Sequence, residues 1–150
     1  MMLTPFQREF LRKRGIPELE MESFISANVA SLQEPTLMKG IEQAVIIIEE
    51  AIKNQERICI VGDFDADGIT STAIMLMALI ELGGEKVSWY INTRFDPGYG
   101  FQIGTMDEIL VEGPVDLIIT VDNGISSLEA VKKAKEQGIK VIITDHHEPG

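Results

Sequence analysis

Asp63, Asp65 and Asp67 stand on alternate positions in Val61-Gly62-Asp63-Phe64-Asp65-Ala66-Asp67-Gly68, directly after the apolar run Ile58-Cys59-Ile60-Val61. Far along the chain a second apolar run ends in Asp145-His146-His147, which holds both histidines of the sequence. Between them a third ends in Asp122-Asn123-Gly124. Hard carboxylates with imidazole form a ligand set for divalent cations. Such cations turn bound water into a nucleophile toward phosphate esters. Metal-dependent hydrolysis of a phosphate ester is the chemistry these residues predict.

Three other readings compete for the aspartates. An EF-hand loop needs a glutamate six positions after its glycine and a helix leading in; Ile74 stands at that position and a strand leads in, so this reading fails. A phosphatase forming an aspartyl-phosphate would use Asp65 and Asp67 as nucleophile and acid/base. That scheme places threonine or valine after the glycine, where Ile69 stands, and has no use for paired histidines at a later strand end. A helix N-terminus whose dipole favours acids accounts for one or two aspartates but not three.

The elements that must position these groups follow from periodicity. Thr4-Pro5-Phe6-Gln7 is a capping-box start for a helix ending at Gly15, and a second helix is predicted from Glu18 to about Asn28. Residues 30–40 read as a linker. From Ile41 the pattern alternates: helix 41–53, strand 57–61, helix 70–82, strand 86–91, helix 103–111, strand 115–121, a helix from a Ser126–Glu129 capping box to Gln137, and strand 140–144. The fold class predicted is α/β, a parallel sheet with helices on both faces, preceded by an N-terminal helical extension. Parallel strands bring their carboxyl ends to one edge, where Asp63, Asp122 and Asp145-His146 converge. The second strand delivers Asn92-Thr93-Arg94 instead.

Adjacent extended residues point opposite ways, so one histidine can face the metals while the other faces elsewhere. This gives His146 as ligand, His147 toward a substrate phosphate, and Asp145 as either a ligand or the acceptor that holds an imidazole. Gly124 and the amides after it are candidates for approach to a phosphate. The loop Arg94-Phe95-Asp96-Pro97-Gly98-Tyr99-Gly100-Phe101 mixes rings, glycine and one cation: Arg94 and Tyr99 are candidate substrate contacts, although such rings equally serve to pin a loop. Cys59, inside a strand, reads as a small core residue.

The chain has 150 residues, 45% hydrophobic and 25% charged, enough for one domain with a true core. A single cysteine excludes a disulfide framework, the polar start excludes a signal peptide, and no apolar run is long enough to span a bilayer. A cytoplasmic chain with no membrane partner is predicted. The net charge of −11 opposes a nucleic-acid partner. Two features counter it: cations would offset the clustered aspartates, and positive charge gathers at Arg8, Arg12, Lys13 and Arg14.

The segments 62–71, Val121-Asp122-Asn123-Gly124-Ile125 and Thr144-Asp145-His146-His147 resemble motifs I, II and III of the DHH phosphoesterases. Trp89-Tyr90-Ile91, Arg94, Gly98-Tyr99-Gly100 and Arg12-Lys13-Arg14-Gly15-Ile16 place the likeness among the single-strand-specific 5′→3′ DNA exonucleases of that family. The resemblance implies a Rossmann-like domain holding two Mn²⁺ or Mg²⁺ ions. Asp63, Asp65, Asp67, Asp122 and His146 match its ligand positions, and His147 matches the position against the scissile phosphate. It implies hydrolysis of single-stranded DNA to 5′-mononucleotides in repair and recombination, by a monomer that works with repair or replication proteins. The family's fourth motif and C-terminal domains have no counterpart here. Residues 1–40 are therefore expected to be a helical extension and 41–150 a partial domain, with weak metal binding and little nuclease activity alone. A small-nucleotide phosphodiesterase and a non-catalytic replication scaffold are the alternative expectations.

Overall fold

A computed structural model describes residues 3–26, 32–93 and 100–149. It divides into two compact units, Met1–Ile41 and Glu42–Gly150. In the first, helix α1 (Pro5–Lys13) begins with the expected capping box: the Thr4 hydroxyl accepts the Gln7 N–H, and the Gln7 side chain accepts the Thr4 N–H. The predicted second helix is a short 3-10 turn, Glu18–Glu20, running into α2 (Met21–Ile25). Leu3, Leu11 and Met21 form a small core with Ile16 and Ile25. The basic cluster on α1 is largely neutralised: Arg8 pairs with Glu18 and Glu22, Arg12 with Glu9 and Glu18, and Lys13 with Glu9.

The second unit alternates helix and strand. Its elements are α3 (Ile41–Lys53), β1 (Ile58–Gly62), α4 (Ala66–Glu81), β2 (Val87–Ile91), α5 (Ile103–Glu112), β3 (Leu117–Val121), α6 (Leu128–Glu136) and β4 (Lys140–Thr144). The strands form a parallel sheet in the order β2-β1-β3-β4. Alternate side chains leave opposite faces of each strand. Cys59, Val61 and Ile118 pack with Met106 and Ile109 of α5 and Ala130 and Ala134 of α6. Ile58, Ile60, Leu117 and Ile119 pack with Ala51 of α3 and Leu79 of α4 on the other face. Every residue of β1 and β3 is buried, because helices cover both sides. Each large aliphatic side chain so buried contributes about 1.5–3 kcal/mol. Burial pushes the Cys59 thiol up to about 11, so it stays a neutral core residue. Among the described residues no helix is long and apolar enough to cross a membrane.

Two helix starts in this unit differ from expectation. Helix α4 starts at Ala66, four residues before the predicted start, because Asp65 caps it: Asp65 Oδ1 accepts the N–H of Asp67 at 2.9 Å and of Gly68 at 3.0 Å. Helix α6 starts at Leu128 without the predicted capping box, since Ser127 occupies the cap position and its side chain caps nothing. Backbone bonds from Ser127 to Gly124 and from Leu128 to Ser126 close that turn instead.

At the starts of β1 and β3, Asp116 accepts hydrogen bonds from the Arg57 side chain at 2.9 and 3.0 Å and from its backbone N–H at 2.8 Å. These bonds, side chain first, hold the Asp116 carboxyl at about 2. An unfolded aspartate titrates near about 3.9, so on acidification the unfolded chain takes the proton first. The stabilisation is complete above about pH 4 and disappears as pH falls through about 2. Chemical denaturation of the protein and its Asp116→Asn variant should show a stability difference at about pH 5 that vanishes near pH 2. Solvent screening at this partly exposed pair keeps that difference small.

Candidate metal centre

Strand order and register build the site. Gly62 lies opposite Ile91 and Val121, and Val121 opposite Thr144, so all four strands end level. The next residues, Asn92, Asp63, Asp122 and Asp145, therefore stand in a row along the carboxyl edge. From β1 the chain crosses to β2 on one side, then returns to β3 on the other. The switch point lies between β1 and β3, where open α/β sheets leave a crevice for ligands.

Asp63 and Asp122 flank that crevice. Asp63 is 1% exposed, and its Oδ1 has no hydrogen-bond partner among the described residues. A buried carboxylate oxygen without a donor is costly unless something else compensates its charge. Asp122 is also buried and has the left-handed φ of +61°, which aspartate tolerates better than most residues. Its N–H donates to the Thr144 carbonyl at 2.9 Å, fixing the turn against β4. Asp65 contributes one oxygen, Oδ1, to capping α4.

Two ligand-forming groups result. Asp63, Asp65 and Asp122 bring carboxylate oxygens within 4.8 Å of one another, and Asp122, His146 and His147 do the same with carboxylate and ring nitrogens. Asp122 belongs to both. Burial, then the neighbouring Asp65 charge, raises its carboxyl above the usual range, against the pull of His146. His146 Nε2 lies 3.0 Å from Asp122 Oδ1. Carboxylates packed this closely repel, and the unpaired Asp63 oxygen compounds the cost, so the donor set fits a divalent cation.

The remaining predicted residues fall into different places. Asp67 lies exposed on the first turn of α4 and in neither group, where its charge suits the helix dipole. Asp145 accepts from the Ile125 N–H at 3.0 Å and the His147 N–H at 3.1 Å, and its Oδ1 is 2.7 Å from His147 Nδ1. Burial acts to raise the Asp145 carboxyl, but these donors outweigh it and lower it. The same hydrogen bond raises the His147 imidazole above its ordinary value. Gly124 has φ +106°, and a Cβ there would meet the Thr120 hydroxyl at 2.7 Å, so internal packing already demands glycine. Arg94 and Tyr99 lie outside the described residues.

Residues 57–150 match the model of the DHH family, N-terminal domain. The chain belongs to the DHH family. It is 45% identical over 149 residues to the single-stranded-DNA-specific exonuclease RecJ of Bacillus subtilis (strain 168), covering 99% of this chain and 19% of that protein. It is 40% identical over 149 residues to RecJ of Escherichia coli (strain K12), covering 99% and 25%. Among solved structures, an exonuclease RecJ bound to manganese matches with a TM-score of 0.68 at 41% identity, over 75% of this chain and 29% of that one. RecJ from Thermus thermophilus in complex with Mn²⁺ matches with a TM-score of 0.68 at 33% identity, over 93% and 18%. The chain thus spans about a fifth to a quarter of the length of the curated relatives it matches.

One residue of this DHH site was not assigned a role from sequence. Asn123 is fully buried; its Nδ2 donates to the Val61 carbonyl at 3.0 Å and the Val121 carbonyl at 2.9 Å, and its Oδ1 accepts the Phe101 N–H at 3.1 Å. It ties the ends of β1 and β3 to the segment entering α5, and so holds Asp63 and Asp122 at their spacing. The available signal is an amide directly after an acid at the end of a doubly covered strand. Asn123→Ala removes three buried hydrogen bonds to the backbone of Val61, Val121 and Phe101, and urea denaturation should show a loss of about 3–5 kcal/mol.

Proposed function

We propose that this chain carries the metal centre of a single-strand-specific 5′→3′ DNA exonuclease, which hydrolyses phosphodiesters to 5′-mononucleotides during repair and recombination. The observation that carries the reading is Asp122: one buried carboxylate shared by a carboxylate group and a histidine group at the sheet's switch point. The relatives named as single-stranded-DNA-specific exonucleases and the manganese-bound structures support it.

Asp63, Asp65, Asp122 and His146 would hold two divalent cations, Mn²⁺ or Mg²⁺. When bound, these would supply an activated water and Lewis-acid stabilisation of the leaving oxygen. Asp63 contributes the buried, unpartnered oxygen, and Asp122 bridges the two groups. Asp67 matches a ligand position by resemblance, and reaching either group would require it to leave its exposed place on α4. Asp145, anchored by the Ile125 N–H, would fix the His147 ring through Nδ1 and so orient it for the substrate. Held in this way, His147 would reach a phosphate oxygen of the substrate. Arg94 and Tyr99 would grip the strand.

The test exchanges the matching residues of Bacillus subtilis RecJ for this chain and follows mononucleotide release from labelled single strands, duplexes and dinucleotides. The expected result is Mn²⁺-dependent release from single strands, reduced at least about a hundredfold by Asp122→Asn. A folded, metal-binding chimera that cleaves none of them would overturn the nuclease reading. Preference for dinucleotides would move the substrate to small nucleotides.

A further inference from the structure

We infer that Phe6, Phe10 and Arg14 form a stacking platform for the bases of single-stranded nucleic acid. The three residues recur every four positions and so line one stripe at α1 and its C-cap. Phe6 is 78% and Phe10 51% exposed. Their rings lie 6.5 Å apart at 25°, and the Arg14 guanidinium sits 5.2 Å from the centre of the Phe10 ring. The small core of this unit takes Leu3, Leu11 and Met21 and leaves these rings outside it.

Charge selects the occupant. Arg8, Arg12 and Lys13 are committed to glutamates, whereas Arg14 forms no ion pair among the described residues and lies on an aromatic face. Residues 1–41 carry five basic and five acidic side chains, so the whole net charge of −11 resides in 42–150. Of the two units, the first is the one whose net charge does not repel a polyanion. Adjacent rings, with a guanidinium that forms no ion pair among the described residues at the end of the row, match what single strands offer: unstacked bases and a phosphate. A duplex keeps its bases stacked on each other and cannot use the rings. The proposal draws on the nuclease reading only for the nature of the polyanion.

The test is fluorescence anisotropy of the 150-residue chain with 5′-fluorescein-labelled oligo-dT in EDTA, which removes any contribution from a metal centre. The intact chain should bind the single strand more tightly than a duplex of equal length. Phe6→Ala with Phe10→Ala should weaken single-strand binding about tenfold, and Arg14→Gln by a smaller factor. Circular dichroism should remain unchanged, since both rings are exposed. In a Trp89→Phe background, Phe10→Trp should give indole fluorescence that the oligonucleotide quenches, a readout of stacking that a merely structural role would not move. Absence of binding in EDTA, or equal binding by the double variant, overturns the platform and leaves the nuclease reading standing. Loss of self-association in the double variant with oligonucleotide affinity unchanged also overturns it, assigning the row to a protein contact. Weakened binding in the double variant, together with a chimera that cleaves nothing, retains the platform and removes the nuclease.

Discussion

Asp122→Asn should abolish the thermal stabilisation that Mn²⁺ confers on this chain. A cation that binds only the folded state stabilises it by about 2.7 kcal/mol at a hundred times its dissociation constant. For a chain of this size that corresponds to a rise of roughly 5–10 °C in Tm. Asp122 is the candidate ligand common to both groups, so its loss would remove a charged oxygen from each. Asparagine is the appropriate probe, because it tolerates the φ of +61° and keeps an oxygen for His146. Without metal the sign reverses. Burial and Asp65 oppose the Asp122 charge, so the variant should be at least as stable as the parent in EDTA. Thermal melts with and without Mn²⁺ check both halves. A full Mn²⁺ shift in the variant, or none in the parent, would remove the metal centre from consideration.

Gly68→Ala should destabilise the domain by about 3 kcal/mol or more and weaken metal binding with it. In an ordinary helix this exchange stabilises by roughly 0.5–1 kcal/mol. Here a Cβ would lie 2.4–2.7 Å from the carbonyl oxygen, nitrogen and carbonyl carbon of Asp63. Those are backbone atoms at the end of a buried strand and cannot swing aside. Either the first turn of α4 retreats, taking Asp65 with it, or Asp63 is displaced; both open the carboxylate group. Denaturation and Mn²⁺ titration on one sample measure the two effects. A stabilised variant would show that α4 does not press on β1 as described.

These two residues mark where sequence reasoning succeeds and where it stops. The aspartates of 63–67 are recognisable as chemistry because their type and their place after an apolar run are local facts. The start of α4 was not, because three alternating acids look alike until Asp65 Oδ1 is seen taking the N–H groups of Asp67 and Gly68. That bond separates the acids: Asp65 points one oxygen into the cap, Asp63 stays buried, and Asp67 turns outward. The basic run at Arg8–Arg14 shows the same limit. Its charge is plain in the sequence, but Glu18 and Glu22, which pair with Arg8 and Arg12, lie beyond the helix and meet it only through the fold of the N-terminal unit.

By itself the sequence determined the alternation of helices and strands, the α/β class, and the three acid-bearing strand ends. Each is written in hydrophobic period and in neighbours a few residues apart. Only the tertiary structure decided the strand order β2-β1-β3-β4 and the register that levels Gly62, Val121 and Thr144. From these follow the meeting of Asp63 with Asp122, the double membership of Asp122, and the task of Asn123. The reason is physical: strand order is selected by packing between segments roughly 60 residues apart, and no local pattern records which buried strand will become whose neighbour.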